Sequence, residues 1–325
     1  MRAAVCREYG PPSSVVVDDD WPSAPLGHDH VRVRIGAAAV NFPDVLFVAN
    51  LYQVTAPVPF VPGSEFAGVV AEAGSSVTGF GAGDRVFGTT MVGAFAEEVV
   101  VGAGSLTLIP AGVSDAHAAA FGVAHRTAYH VLRSVACVQP GERVVVLGAG
   151  GGVGLASVQL GALLGASVTA VASSEEKLAV ARSSGATTAI NHKSGPLRQA
   201  LKDAFPDGVD VVVDPVGGDL AEPALRALRW NGRFVTVGYA AGSVPRIPLN
   251  LVLLKGCRIL GFQMAAFSSH APRKRARDER ELLSLLAAGK ALPHIGATFK
   301  LPDAVAALRH VADGKAIGKV VLEIS

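Results

Sequence analysis

Cysteine is scarce in this chain: only Cys6, Cys137 and Cys257 occur, far apart and with no CxxC pair. That spacing argues against a disulfide framework and against a cysteine-based structural zinc site. Charge is sparse too, at 17% of residues with a formal net of +2, so nothing in the balance suits a polyanionic partner. The one basic run, Arg273 to Arg277, is followed at once by Asp278, Glu279 and Glu281. It reads as a solvated helix face whose charges mostly pair locally, not as a nucleic-acid patch. No apolar stretch of about eighteen residues is present to span a bilayer. Met1 to Arg7 also lacks the apolar core of a signal peptide. The expectation is a cytoplasmic protein without a membrane or nucleic-acid partner.

What the chain has in quantity is apolar residues, at 50%, and 37 glycines. At 325 residues it exceeds one ordinary core, so two domains are expected. The most telling stretch is Arg143 to Gly154, where an apolar run meets five glycines within seven residues and then Leu155-Ala-Ser-Val-Gln-Leu160 at helical spacing. It reads as strand, tight turn and helix. Glycines let the backbone approach a ligand closely, and the free N–H groups of the new helix favour a diphosphate. The strict GxGxxG spacing fails, because Ala149, Gly151 and Gly154 hold the three positions, and a glycine cluster also serves as a packed turn. Context favours the dinucleotide seat, since the apolar run Ser167 to Val171 follows the helix and completes a βαβ unit.

In an NAD site an acidic residue ends that second strand and holds the ribose 2′-hydroxyl. Here the strand ends Ala172-Ser173-Ser174, with Lys177 one turn into the next helix. Two hydroxyls and an ammonium suit a 2′-phosphate, which favours NADPH. The serines also fit a helix N-cap, a role compatible with the first. Glu175 lies near enough to leave NADH use open.

Six strand-like runs alternate with helical segments: Arg143 to Gly148, Ser167 to Val171, Thr187 to Ile190, Val209 to Asp214, Arg233 to Gly238 and Cys257 to Phe262. Such alternation predicts an α/β, doubly wound parallel sheet with ligands at the carboxyl ends of its strands. The loops Asp214 to Gly218 and Gly238 to Gly242 lie at two of those ends. The first 120 residues or so, with short strands such as Val31 to Ile35 and Gly68 to Ala71 between Gly and Pro, predict a compact β-rich domain. After Phe262 come helices over Pro272 to Ala288 and Asp303 to Ala312 and a strand over Lys319 to Ile324, which return to the first domain. The expected domains are 1–122, 123–265 and the return segment 266–325.

In order along the chain, Val40-Asn-Phe-Pro-Asp44, Leu51-Tyr-Gln53, Pro59 to Gly68, Gly83-Asp-Arg-Val86, Arg126-Thr-Ala-Tyr-His130, the glycine turn, Asp214-Pro-Val-Gly-Gly218 and Gly318-Lys-Val-Val321 resemble the medium-chain dehydrogenase/reductase superfamily. Within it the chain is similar to the zinc-independent quinone oxidoreductases related to zeta-crystallin. The resemblance implies a GroES-like β-rich catalytic domain joined to a Rossmann domain with a six-stranded parallel sheet. The positions matching the zinc ligands of alcohol dehydrogenases hold Asn41, Ser64 and Val123, which replace thiolate and imidazole poorly. His28 and His30, read as loop residues, and His125 and His130, read on a helix, lack an accompanying Cys, so a structural role is expected of them.

The resemblance further implies diphosphate contacts from the backbone at Gly151, Gly152 and Val153, and 2′-phosphate contacts from Ser173, Ser174 and Lys177. His192 stands where relatives carry tyrosine, and a histidine there still donates a hydrogen bond. Asn41, Thr127, Val216, Gly238 and Lys319 match positions around the nicotinamide and its ribose, and Tyr239 and Phe262 match further cofactor-binding positions. Asn41 and Tyr52 are the candidate donors to the acceptor. Asn41 and Asp44 equally suit a turn before a short helix, and Tyr52 a packed aromatic. The implied reaction is hydride transfer from NADPH to a quinone in a cleft between the domains. The arrangement serves an enone, alkenal or enoyl-CoA as well, and a non-catalytic cofactor-binding protein is the reading from another class. The apolar edge run Cys257 to Phe262 predicts a homodimer with a continuous sheet.

Overall fold

A computed structural model describes residues 1–324. The chain divides into two compact units, Met1–Val123 together with the segment from Leu286 onward, and Ala124–Leu285. Residues 266–285, expected in the return segment, thus belong with the second unit. Asp278, fully buried on the helix Pro272–Ala287, ties this segment to that unit, its carboxylate accepting hydrogen bonds from His130 and Ser134.

The second unit holds six parallel strands in the order Thr188–Asn191, Ser167–Ala172, Arg143–Leu147, Val209–Asp214, Leu228–Thr236 and Arg258–Gly261. Numbered by sequence this is 3-2-1-4-5-6, the Rossmann order, and the strand order reverses between Arg143–Leu147 and Val209–Asp214. Val144, Val145, Val146, Val211, Val212 and Val213 are wholly buried, because crossover helices cover both faces of a parallel sheet. The strand ahead of Gly238 is longer than expected and starts at Leu228. The last strand is shorter, and three of its four residues lie exposed at the sheet edge, Leu260 being half-buried.

The first unit is β-rich. Its seven-stranded sheet runs Ile295–Lys300, Lys319–Glu323, His30–Val40, Glu65–Ala73, Arg85–Thr89 and Leu106–Leu108, with Glu98–Gly102 paired to His30–Val40. His30 opens a strand and is not a loop residue, because the expected strand from Val31 continues at both ends to pair with two neighbours. The last strand lies antiparallel to His30–Val40 with Val320 opposite Val40, while Glu65 lies opposite Ala39. That register brings Asn41, Glu65 and Lys319 to one place. Among the described residues, no helix is long and apolar enough to cross a membrane.

Candidate functional site

The expected site residues fall into two groups, one in each unit. In the Rossmann unit the strand Arg143–Leu147 turns through Gly148, Ala149 and Gly150 into the helix Gly152–Leu163, capped by Gly151. Gly152 and Val153 are its first two residues, whose N–H groups have no intrahelical partner and suit a diphosphate. A Cβ on Gly154 would stand 2.1 Å from the Gly148 carbonyl oxygen, so only glycine permits this closeness of helix and turn. A Cβ on Gly150 would meet the Lys177 side chain at 2.6 Å. The Lys177 stem therefore lies across the glycine turn.

Ser174 caps the helix Glu175–Ser183, its Oγ accepting the Lys177 backbone N–H at 3.3 Å. Ser173 beside it is exposed. Glu175, the carboxylate that leaves NADH use open, accepts a hydrogen bond from Asn191 at 3.1 Å and lies 3.8 Å from Arg182. Burial, with the charges of Lys193 and Lys177, holds the His192 pKa below its ordinary value. The imidazole is neutral at pH 7 and still able to donate one hydrogen bond.

At the carboxyl end of Val209–Asp214, one oxygen of the buried Asp214 accepts the N–H groups of Val216 and Gly217 at 2.9 and 2.8 Å. This fixes the loop that carries Val216 beside Gly148, with the Tyr239 ring over Gly217. Burial raises the Asp214 pKa, and its second oxygen has no partner among the described residues. Gly238 and Phe262 follow the next two strands of the sheet. Thr127 lies half-buried on the helix Ala124–His130.

In the β-rich unit Asn41 precedes the helix Phe42–Val48, and the Asp44 carboxylate accepts the Asn41 backbone N–H at 2.7 Å. The turn-holding role is therefore real. The Asn41 side chain does something further, donating to Glu65 Oε1 at 2.8 Å and to Ser64 Oγ at 3.3 Å. Lys319 Nζ donates to Asn41 Oδ1 at 2.5 Å and to Glu65 Oε1 at 2.6 Å, and Glu65 Oε2 accepts the Val123 backbone N–H at 2.7 Å. All of these side chains are buried. Burial pushes the Asp44 pKa up to about 7, against the hydrogen bonds and the nearby Lys319 that lower it. The Tyr52 ring packs on Phe47 at 4.6 Å, and its hydroxyl has no hydrogen-bond partner among the described residues. Burial, then the charge of Asp44, raises the Tyr52 pKa, so the phenol stays protonated at neutral pH.

Glu65 was absent from the expected site. The available signal was a lone carboxylate entering the apolar run Phe66-Ala-Gly-Val-Val70, because a buried charge requires a partner. The acidic residues after Arg277 also differ from expectation. Beside local pairs with Arg277, they bind the helix Ala124–His130 and the turn after it: Asp278 to His130 and Ser134, Glu279 to Arg126, and Glu281 to Tyr129 and Arg133.

Comparison with known proteins places these features in a family. The profile described as "Zinc-binding dehydrogenase" matches residues 152–287, and that of the "Alcohol dehydrogenase GroES-like domain" matches residues 27–111. The chain is 38% identical to a quinone oxidoreductase-like protein 2 homolog of Nematostella vectensis, across 99% of this chain and 88% of that protein. It is also 38% identical to quinone oxidoreductase-like protein 2 of Bos taurus, across 99% of this chain and 92% of that protein. The chain belongs to the quinone oxidoreductase-like branch of the medium-chain dehydrogenase/reductase superfamily. Solved structures agree: the Escherichia coli quinone oxidoreductase complexed with NADPH superposes with TM-score 0.91 at 27% identity, covering all of both chains. The quinone oxidoreductase of Thermus thermophilus, solved also with NADPH, gives 0.86 at 32% identity, again over all of both chains.

This quinone oxidoreductase-like chain is an oxidoreductase with a GroES-like unit and a Rossmann unit. Its donor set does not fit the zinc in the first profile's description. Asn41, Ser64 and Val123 hold the matching positions, and Glu65 already faces the Lys319 ammonium. Among the described residues no three His, Cys, Asp or Glu side chains gather into a metal site.

Proposed function

We propose that this protein transfers hydride from NADPH to a quinone without a metal in the step. The observation that carries the reading is the adenosine end of the Rossmann unit. There Ser173, Ser174 and Lys177 stand at the second strand where an NAD site has a carboxylate, and Glu175 is engaged by Asn191. The solved relatives complexed with NADPH support it. With NADPH bound, the cofactor supplies the hydride. The chain's part is to bind and orient: Gly151, Gly152 and Val153 at the diphosphate, and Thr127, Val216, Gly238, Tyr239 and Phe262 toward the nicotinamide half. His192 gives the 2′-phosphate a neutral donor in place of tyrosine.

In the GroES-like unit Asn41 is a link and not a free donor, since its amide is taken up by Glu65, Ser64 and Lys319. The donor to the acceptor is then Tyr52, whose hydroxyl is protonated and uncommitted. A quinone spreads the arriving charge over its ring and draws little on that donor. An enone, alkenal or enoyl-CoA, which concentrates charge on one oxygen, draws on it heavily.

The test is a panel of quinones, enones, alkenals and enoyl-CoA thioesters assayed with NADPH and NADH. Quinone turnover with NADPH is expected. Turnover confined to enones or thioesters reassigns the acceptor, and tight NADPH binding without consumption makes the protein a cofactor binder.

The same reading includes a homodimer. Strand Arg258–Gly261 leaves the sheet edge open, and Trp230, whose ring packs on Gly256, lies exposed beside it with Leu249, Leu253, Leu254 and Ile259. A second copy pairing along this edge would cover both the backbone groups and the apolar side chains. Light scattering should show a dimer at micromolar concentration. A wild-type monomer, or a folded Leu260→Pro variant that keeps the wild-type assembly size, refutes the paired edge.

A further inference from the structure

A buried polar cluster in the Rossmann unit lies beneath residues assigned above to the nicotinamide. The helix Ala124–His130 continues into one wide π-type turn, Val131–Val135, closed by the Ala136 N–H donating to the Val131 carbonyl at 2.8 Å. Such turns are uncommon and recur at functional sites. This turn brings Ser134 and His130 onto one carboxylate: Asp278 Oδ2 accepts from Ser134 Oγ at 2.6 Å and lies 3.0 Å from His130 Nδ1. The other imidazole nitrogen is 3.4 Å from Glu279 Oε1. His130 and Asp278 are wholly buried.

Two aromatic rings close over the histidine. Phe267 lies 4.8 Å from the imidazole, ring centre to centre, and Phe262 lies 6.3 Å away, tilted only 28° from the imidazole plane. The two phenyl rings are 5.5 Å apart. Phe262 directly follows the strand Arg258–Gly261, at the carboxyl edge of the sheet where ligands of such folds bind. Thr127 is three residues before His130 on the same helix. One buried imidazole thus lies against Phe262 and shares a helix with Thr127, two of the residues assigned to the nicotinamide half.

The geometry points to His130, held by Asp278 and faced by Glu279, as a positioning residue for hydride transfer that sets Phe262 and Thr127 against the nicotinamide ring. This rests on the NADPH reading given above. His130 touches no reacting atom; it acts through the aromatic pair and through its own helix. Other charged groups around it are Arg277 on Asp278, Arg126 and Arg275 near Glu279, and Arg133 on Glu281, while Phe262 and Phe267 add none. Burial favours the neutral imidazole, but Asp278 and Glu279 outweigh it and raise the pKa. The support is complete below the unfolded pKa of about 6.5 and is lost as pH rises through the higher folded value.

The experiment compares binding of NADPH with binding of its 2′-phosphorylated adenosine half, across neutral to alkaline pH. In the wild type NADPH should weaken as His130 loses its proton, while the adenosine half keeps its affinity, since it never reaches Phe262. His130→Gln should abolish that pH dependence and lower kcat with a quinone about tenfold, the scale of a small misplacement of reacting groups. In a Phe262→Leu background the same change should add little.

A wild-type NADPH profile that is flat in pH, or that merely parallels the adenosine half, overturns the inference whether or not His130→Gln folds. So does a His130→Gln enzyme with wild-type kcat and pH profile, or one that loses both ligands equally. A wild type that binds neither ligand removes the cofactor reading and this inference with it. A wild type that binds both, with His130 variants unchanged, removes only the inference.

Discussion

Replacing Lys319 by methionine removes the one cation from the buried cluster of the GroES-like unit. Lys319 Nζ and Glu65 Oε1 are 2.6 Å apart, with side-chain exposures of 4% and 0%. An exposed pair is worth about 1 kcal/mol or less. Losing one partner of a buried pair instead costs about 3–5 kcal/mol, because the remaining charge is left without compensation. Glu65 keeps the N–H groups of Asn41 and Val123, which places the loss near the lower end of that range. For a unit of this size a loss of 1 kcal/mol lowers Tm by about 2–4 °C, so Lys319→Met should lower it by about 6–12 °C. Calorimetry on the variant, with urea midpoints as a second measure, reads the change directly. The double variant Glu65→Gln, Lys319→Met removes both charges and should recover much of the loss, since a neutral pair carries no desolvated charge. A single variant within about 1 kcal/mol of the wild type would show that the pair behaves as a surface bridge. A double variant less stable than the single would mean that Glu65 matters through its other bonds.

Three further outcomes follow from the same geometry. Asp44 keeps its proton in the folded state up to about pH 7, while the unfolded chain releases it near 4. Its burial therefore lowers stability progressively between those pH values and by a constant amount above them, so Asp44→Asn should gain stability over the wild type from pH 5 to pH 8, by up to a few kcal/mol; urea midpoints that shift equally at both pH values refute this. Lys177→Ala should weaken NADPH by about 1.5–3 kcal/mol, the scale of a lost charge-assisted bond, while NADH changes little; equal losses in fluorescence titrations would contradict the 2′-phosphate assignment. Tyr52→Phe should reduce quinone turnover modestly and enone reduction more, as read from kcat/KM for each acceptor. Total loss with quinones in a folded variant would make Tyr52 an obligatory acid, and unchanged kinetics with both would return it to the packing around Phe47.

The features legible in the sequence are those whose physics is local. Five glycines between an apolar run and a helical pattern describe a strand, turn and helix within a dozen residues. The alternating apolar runs located all six strands of the parallel sheet to within a few residues, apart from the early start of Leu228–Thr236. Ser174 and Lys177 are separated by one helical turn, so their pairing follows from spacing alone. What the tertiary structure decided depends on register and on long separations. Asn41, Glu65 and Lys319 lie at the ends of three strands, and the Lys319–Asn41 contact spans 278 residues, so no periodicity marks it. The same holds for Asp278: its run of charges has the pattern of a solvated helix, and only packing against His130 and Ser134, 148 and 144 residues earlier, makes it their buried anchor. A helix face is polar either because water solvates it or because another polar surface meets it. Composition is the same in both cases, and only the packing of the second helix distinguishes them.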